Sequence, residues 1–189
     1  HFDHALLRWE LDHFTEWGLQ AWCGAALDAN ARTALDRWLD HIAHALAARG
    51  DRLVHRDFQS TNLMSTPQGL VLIDFQDAHM GTEAYDLVAY LRDSYVELTP
   101  AELEELLARY EAGRAEAGIP VAGDFRDLFH LQTVQRKLKD AGRFVFIDRV
   151  KGNPGFLQWV DPTLGYVREA LGQLTDGPAL QERLSRYVP

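Results

Sequence analysis

One short segment interrupts a chain that otherwise reads as helix, and it limits the fold more than any other feature. Residues 52–74 hold three strand-like pieces, at 52–55, 63–65 and 70–74, the last an apolar LVLID run ending in a carboxylate. Thr66-Pro67-Gln68-Gly69 is a turn sequence, so the last two pieces are expected to pair as a hairpin. A carboxylate that ends a buried strand needs a partner, which singles out Asp74.

On both sides of this segment the apolar period is helical. Leu7, Leu11, Phe14, Gly18 and Ala21 fall near one face of a first helix, with Trp17 and Trp22 beside it. Leu35, Trp38, Leu39, Ile42 and Leu46 define a second, with Gly50 placed as its C-terminal cap. Tyr85, Val88, Leu91 and Tyr95 form one stripe, and Thr99-Pro100 before an acid-rich run is a strong helix start. Leu128, Leu131, Val134, Leu138 and Ala141 share a face, and two further helices are expected near 157–172 and 178–187. The tryptophans at 9, 17, 22 and 38 are expected in the core. The fold class expected is α+β, predominantly helical, with a small β-hairpin, in one unit over 1–189.

Composition narrows the function. A chain of 189 residues with 47% hydrophobic content is long enough to bury a core. The formal net charge of -9 argues against a nucleic-acid partner, which needs a basic surface. Cys23 is the only cysteine, so no internal disulfide forms and a reducing compartment, the cytoplasm, is expected. No run approaches the roughly 20 apolar residues of a membrane helix. The N-terminus lacks both a signal-peptide pattern and an initiating Met, which suggests a piece of something longer.

The chemistry concentrates in His55-Arg56-Asp57-Phe58-Gln59-Ser60-Thr61-Asn62 and Ile73-Asp74-Phe75. Phosphoryl transfer needs a group that orients the attacking hydroxyl and oxygen ligands that hold magnesium against phosphates. Asp57 follows a strand and is free to face a substrate. Asn62 closes the same loop, and the hairpin returns Asp74 to it. H-R-D-x-x-x-x-N followed by I-D-F resembles the catalytic and metal loops of protein kinases and their relatives. With eleven residues between Asn62 and Asp74, the chain looks most similar to the aminoglycoside phosphotransferase and choline kinase branch. Within it, HRDFQSTNLM, LIDFQDA and AYDLVAYLRDSYV resemble bacterial kinases that phosphorylate N-acetylmuramate and N-acetylglucosamine at the anomeric hydroxyl, in cell-wall recycling.

The resemblance implies the C-terminal lobe of a protein-kinase-like fold, with the hairpin carrying both loops. It makes Asp57 the catalytic base and Asn62 and Asp74 the magnesium ligands, with ATP, or GTP, as phosphoryl donor. His55 would brace the loop, Asp86 would anchor it by accepting backbone hydrogen bonds, and Arg92 would face substrate. Gln76 and Asp93 are further substrate candidates. Gln76 departs from the protein-kinase pattern, which has Gly there. The family's N-terminal lobe, with its nucleotide-covering loop and phosphate-clamping Lys, is not found before residue 55, so that lobe is an expected partner. Aminoglycoside, choline or homoserine kinases are the nearest rivals, and Asp77, Asp93 and Glu97 are the carboxylates a cationic substrate would need. A non-catalytic scaffold is the rival of a different class. His41, His44, His79 and His130 show no partner spacing for a metal. Arg136 and Lys139 could meet an acidic sugar such as N-acetylmuramate, but a solvated helix face is the stronger expectation for both.

Overall fold

The computed structural model describes residues 1–175, together with 177 and 182. The helix expected over 178–187 lies, apart from residue 182, outside the described residues.

Helix α1, His4–His13, starts where Asp3 accepts a hydrogen bond from Leu6 N at 2.9 Å. It continues as a π-helical stretch over Phe14–Trp22. Gly18 belongs there, because a Cβ at that position would lie 2.3 Å from the Phe14 ring. Ala21, expected on the buried face, is exposed instead, since the wider turn shifts the register of the apolar stripe. Asp28 caps α2, Ala29–Ala47, by accepting from Ala31 N at 2.8 Å. Gly50 is not a left-handed cap; α2 ends at Ala48 without one.

Two separate antiparallel ribbons follow. The first pairs β1, Arg52–Val54, with β4, His79–Gly81. The second is the hairpin of β2, Leu63–Thr66, and β3, Gly69–Leu72, with Leu63 opposite Leu72. This hairpin is less buried than its apolar sequence suggests: Leu70 is 75% and Phe75 70% exposed. Strand β3 also stops before Asp74, which turns with a left-handed φ of 69°.

Helix α3, Tyr85–Leu91, is shorter than its stripe. Asp93 accepts from Tyr95 N at 3.0 Å just beyond it, and this local turn leads the chain away before Tyr95 can join the helix. A capping box at Thr99 and Glu102, with Pro100 in the first turn, starts α4, Pro100–Glu116.

Helix α5, Phe125–Lys151, is the axis of the molecule, packed against α6 (Val160–Gln173), the π-helical stretch, α1, α2 and α3. Gly142 lets it pass the chain at residues 13–14, where an added Cβ would sit 2.9 Å from His13 O. From Gln132 to Leu138 every residue is buried, so Arg136, 3% exposed, is no solvated side chain. Lys139 is also mostly enclosed. The core runs from Phe2 to Leu171, with Trp17, Trp22 and Trp38 at its margin. Trp9, in contrast, is 60% exposed.

Candidate active site

Strand β1 delivers His55, Arg56 and Asp57 into a loop that the first turn of α3 holds. Asp86 accepts from His55 N through Oδ2 at 2.7 Å and from Arg56 N through Oδ1 at 3.0 Å. Bonds of this kind to an ionised carboxylate are among the stronger ones in proteins. They hold Arg56 at φ 77°, a left-handed conformation that costs a side-chain-bearing residue about 1–2 kcal/mol. Such strain persists only where surrounding contacts over-determine it. A second clamp acts on the far side of the same residue, where Arg136 Nη1 donates to Arg56 O at 2.9 Å.

Asp57 comes next in the chain. It is partly exposed, with Oδ1 3.7 Å from Arg136 Nη2. The loop then turns through Ser60, whose N and Oγ both donate to Asp93 Oδ2, at 2.9 and 2.6 Å. Asp93 is buried, and its carboxylate is committed to Ser60 and Tyr95. Asn62 donates through Nδ2 to Asp57 O at 2.8 Å, which commits the amide nitrogen and leaves the amide oxygen to face elsewhere. Ile73 N donates to Asn62 O at 3.1 Å, so the hairpin sets Asp74 next to the end of the Asp57 loop. Gln76 Nε2 donates to Asp74 Oδ1 at 2.8 Å. An amide oxygen and a carboxylate are the hard oxygen donors magnesium takes, so Asn62 and Asp74 fit that ion.

Other candidates stand apart. Arg92 Nη1 pairs with Glu169 Oε2 at 2.9 Å, and its guanidinium lies over the Tyr166 ring at 4.9 Å; it does not line the cavity beside Asp57. The His55 ring, expected to brace the loop, has both nitrogens buried without a hydrogen-bond partner among the described residues. Its backbone N–H carries its link to Asp86. His44, for which the sequence shows no metal-ligand spacing, meets Asp40 one turn earlier on α2, and the packing of α1 on α2 brings His4 to both.

Asp57 opens onto a cavity of about 400 Å³ floored by α5. Arg136, Lys139, Asp140 and Arg143 line it at i, i+3, i+4 and i+7, one face of the helix. Lys137 Nζ donates to Asp140 Oδ2 at 2.9 Å, and Lys139 Nζ lies 3.2 Å from Oδ1. Burial alone would raise the Asp140 carboxyl, but Lys139, Lys137 and Arg136 outweigh it and hold the group well below the ordinary carboxylate range. Burial works against the Arg136 charge too, yet the acidic groups around it, Tyr85 and Asp140 ahead of Asp57 and Glu10, hold it above its usual value.

A strained, doubly clamped loop that presents one carboxylate to a charged cavity is consistent with group transfer but does not name a family. A sequence model described as the phosphotransferase enzyme family matches residues 2–119. The chain belongs to the phosphotransferase enzyme family.

Three relatives carry the name N-acetylmuramate/N-acetylglucosamine kinase. One from Pseudomonas putida is 32% identical over 97% of the chain and 55% of its own length. One from Pseudomonas aeruginosa is 30% identical over 97% and 55%. One from Neisseria meningitidis is 32% identical over 88% and 51%. The chain therefore spans about half the length of the curated relatives it matches. The phosphotransferase family match ends before α5; sequence reasoning assigned its Arg136 to a solvated face and missed Lys137 and Asp140 as site residues. Their only sequence signal was a cluster of charges interleaved with the apolar positions of one helix, and that pattern is as common on solvated faces.

Proposed function

We propose that this chain supplies the catalytic loop of a magnesium- and nucleoside-triphosphate-dependent kinase acting on a hydroxyl of an amino sugar, of the N-acetylmuramate or N-acetylglucosamine type. The observation that carries the reading is Asp57, held at the mouth of the cavity by a loop clamped by Asp86 and Arg136. In this role Asp57 accepts the proton of the acceptor hydroxyl as that oxygen forms its bond to the terminal phosphorus. The bond from that phosphorus to the leaving diphosphate breaks. Asn62 and Asp74 would hold magnesium, which neutralises charge on the phosphates when bound. The relatives' names supply the two sugars; in this reading the donor is ATP, or GTP, and the setting is cytoplasmic cell-wall recycling.

We further propose that residues 1–189 form one lobe and that a second lobe completes the nucleotide site. Exposed Leu53 and Leu70, each 75% accessible, and Phe75 support that reading, since such apolar surface on neighbouring ribbons suits a covering partner.

A cationic acceptor such as an aminoglycoside or choline is disfavoured. Asp93 is committed to Ser60 and Tyr95, and cations outnumber carboxylates around the cavity. The test is sugar phosphorylation by the full-length protein with magnesium and ATP, against its Asp57→Ala variant. Wild-type turnover of an amino sugar that the variant loses supports the reading. No turnover of either sugar, or equal turnover by both proteins, overturns it.

A further inference from the structure

The cavity beside Asp57 has a charge balance opposite to that of the chain. The protein carries a formal net charge of -9, yet five cationic side chains face this cavity against three carboxylates. Most of those charges are accounted for internally. Asp140 takes both Lys137 and Lys139, and Glu10 accepts from Gln135 Nε2 at 2.8 Å. Arg136 is committed to Arg56 O and Asp57.

Arg56 and Arg143 remain: Arg56 is half-buried with its guanidinium over the buried Phe2 ring at 5.9 Å, whereas Arg143 is exposed. Arg143 has no carboxylate within ion-pairing distance among the described residues, and its guanidinium rests over the Phe146 ring at 5.3 Å. Its charge is felt inside the cavity: burial, and then Arg143, pull His13 below its usual value. Seven residues separate Arg143 from Arg136, about 10 Å along the helix axis. The same cavity thus offers Asp57 near one end of that face and an uncommitted cation near the other. Trp9, 60% exposed and with its ring tilted against His13 at 5.6 Å, adds an aromatic surface to the wall. An aromatic plane suits the apolar body of a sugar ring.

We propose that Arg143 receives a carboxylate on the acceptor, so that this cavity selects an acidic amino sugar over a neutral one. This rests on the amino-sugar reading above and adds to it the residue that discriminates between acceptors. A guanidinium is suited to the task because its planar fork pairs two N–H groups with two carboxylate oxygens. A lysine at this position would offer only a point charge. An arginine resting on an aromatic ring is also partly ordered in advance, so less side-chain freedom is lost when the anion arrives.

Binding can be read without catalysis, by calorimetric titration of the full-length protein with N-acetylmuramate and with N-acetylglucosamine. The acidic sugar is expected to bind about tenfold tighter, the effect of one charge-assisted contact at a partly exposed site. In Arg143→Gln that ratio should collapse toward one, and Arg143→Lys should restore part of it. Raising the salt concentration should narrow the wild-type ratio. Equal wild-type affinity for the two sugars, or an undiminished ratio in Arg143→Gln, overturns the proposal while leaving the amino-sugar reading intact. Binding of neither sugar overturns both. Because Arg143 is exposed on the helix surface, its substitution reports on recognition and not on folding.

Discussion

The guanidinium of Arg136, buried in α5, stands 3.7 Å from the carboxylate of Asp57 while its other terminal nitrogen grips the carbonyl of Arg56. One side chain from the central helix thus fixes the backbone just before Asp57 and also bears on its charge. Its guanidinium also lies over the Tyr85 ring at 5.0 Å, next to the Asp86 that clamps the other side of Arg56. Contacts of Asp86 and Arg136 thus tie the loop to both helix α3 and helix α5.

Arg136→Met should cost the fold about 1–3 kcal/mol, because it leaves the Arg56 carbonyl without its donor and removes the cation beside Asp57. Arg136→Lys keeps a charge but has no fork to hold Arg56 O. It should recover part of the stability and little of the activity. Urea unfolding and sugar-kinase turnover on the same samples check this, and parallel recovery of both would be evidence against a positioning role.

Asp86→Asn retains one acceptor oxygen and replaces the other with a donor facing a backbone N–H. With the left-handed Arg56 no longer held, kcat should drop by about tenfold or more for a stability loss of about 1–3 kcal/mol. A variant with unchanged kcat would show that the loop geometry does not depend on this clamp.

Asp140 supplies a pH dependence with a definite sign. Its folded carboxyl lies below the unfolded value of about 3.9, so it favours the folded state at pH above about 4. That contribution is lost as pH falls below the unfolded value toward the folded one. Asp140→Asn should therefore be less stable than wild type at pH 7, and the gap should shrink toward pH 2. Unfolding midpoints across that range decide it; a constant gap contradicts the assignment.

Asp74→Asn in the full-length protein should raise the magnesium concentration needed for half-maximal turnover by about tenfold or more, since one anionic ligand is lost. Titration of activity against magnesium tests this. An unshifted curve would remove Asp74 from the metal site.

Gly142→Ala should destabilise by about 1–3 kcal/mol, because the new Cβ meets the backbone of His13 and Phe14 at 2.9 Å. Thermal melting shows the effect directly.

What the sequence alone determined is what depends on near neighbours. The 66–69 turn closes its hairpin, Thr99 and Glu102 cap their helix, and the spacing of Asp57 and Asn62 closes one loop through a bond from Asn62 to Asp57 O. Each rests on contacts a few residues apart, so residue type and spacing suffice. Tertiary structure decided the rest. Charged residues on α5 became a buried wall because Glu10 and Asp57 approach from distant parts of the chain. The apolar hairpin stayed exposed because no described element packs over it. Whether a lysine or arginine faces water or a cavity depends on which remote carboxylates reach it, and that is a property of packing rather than of local pattern.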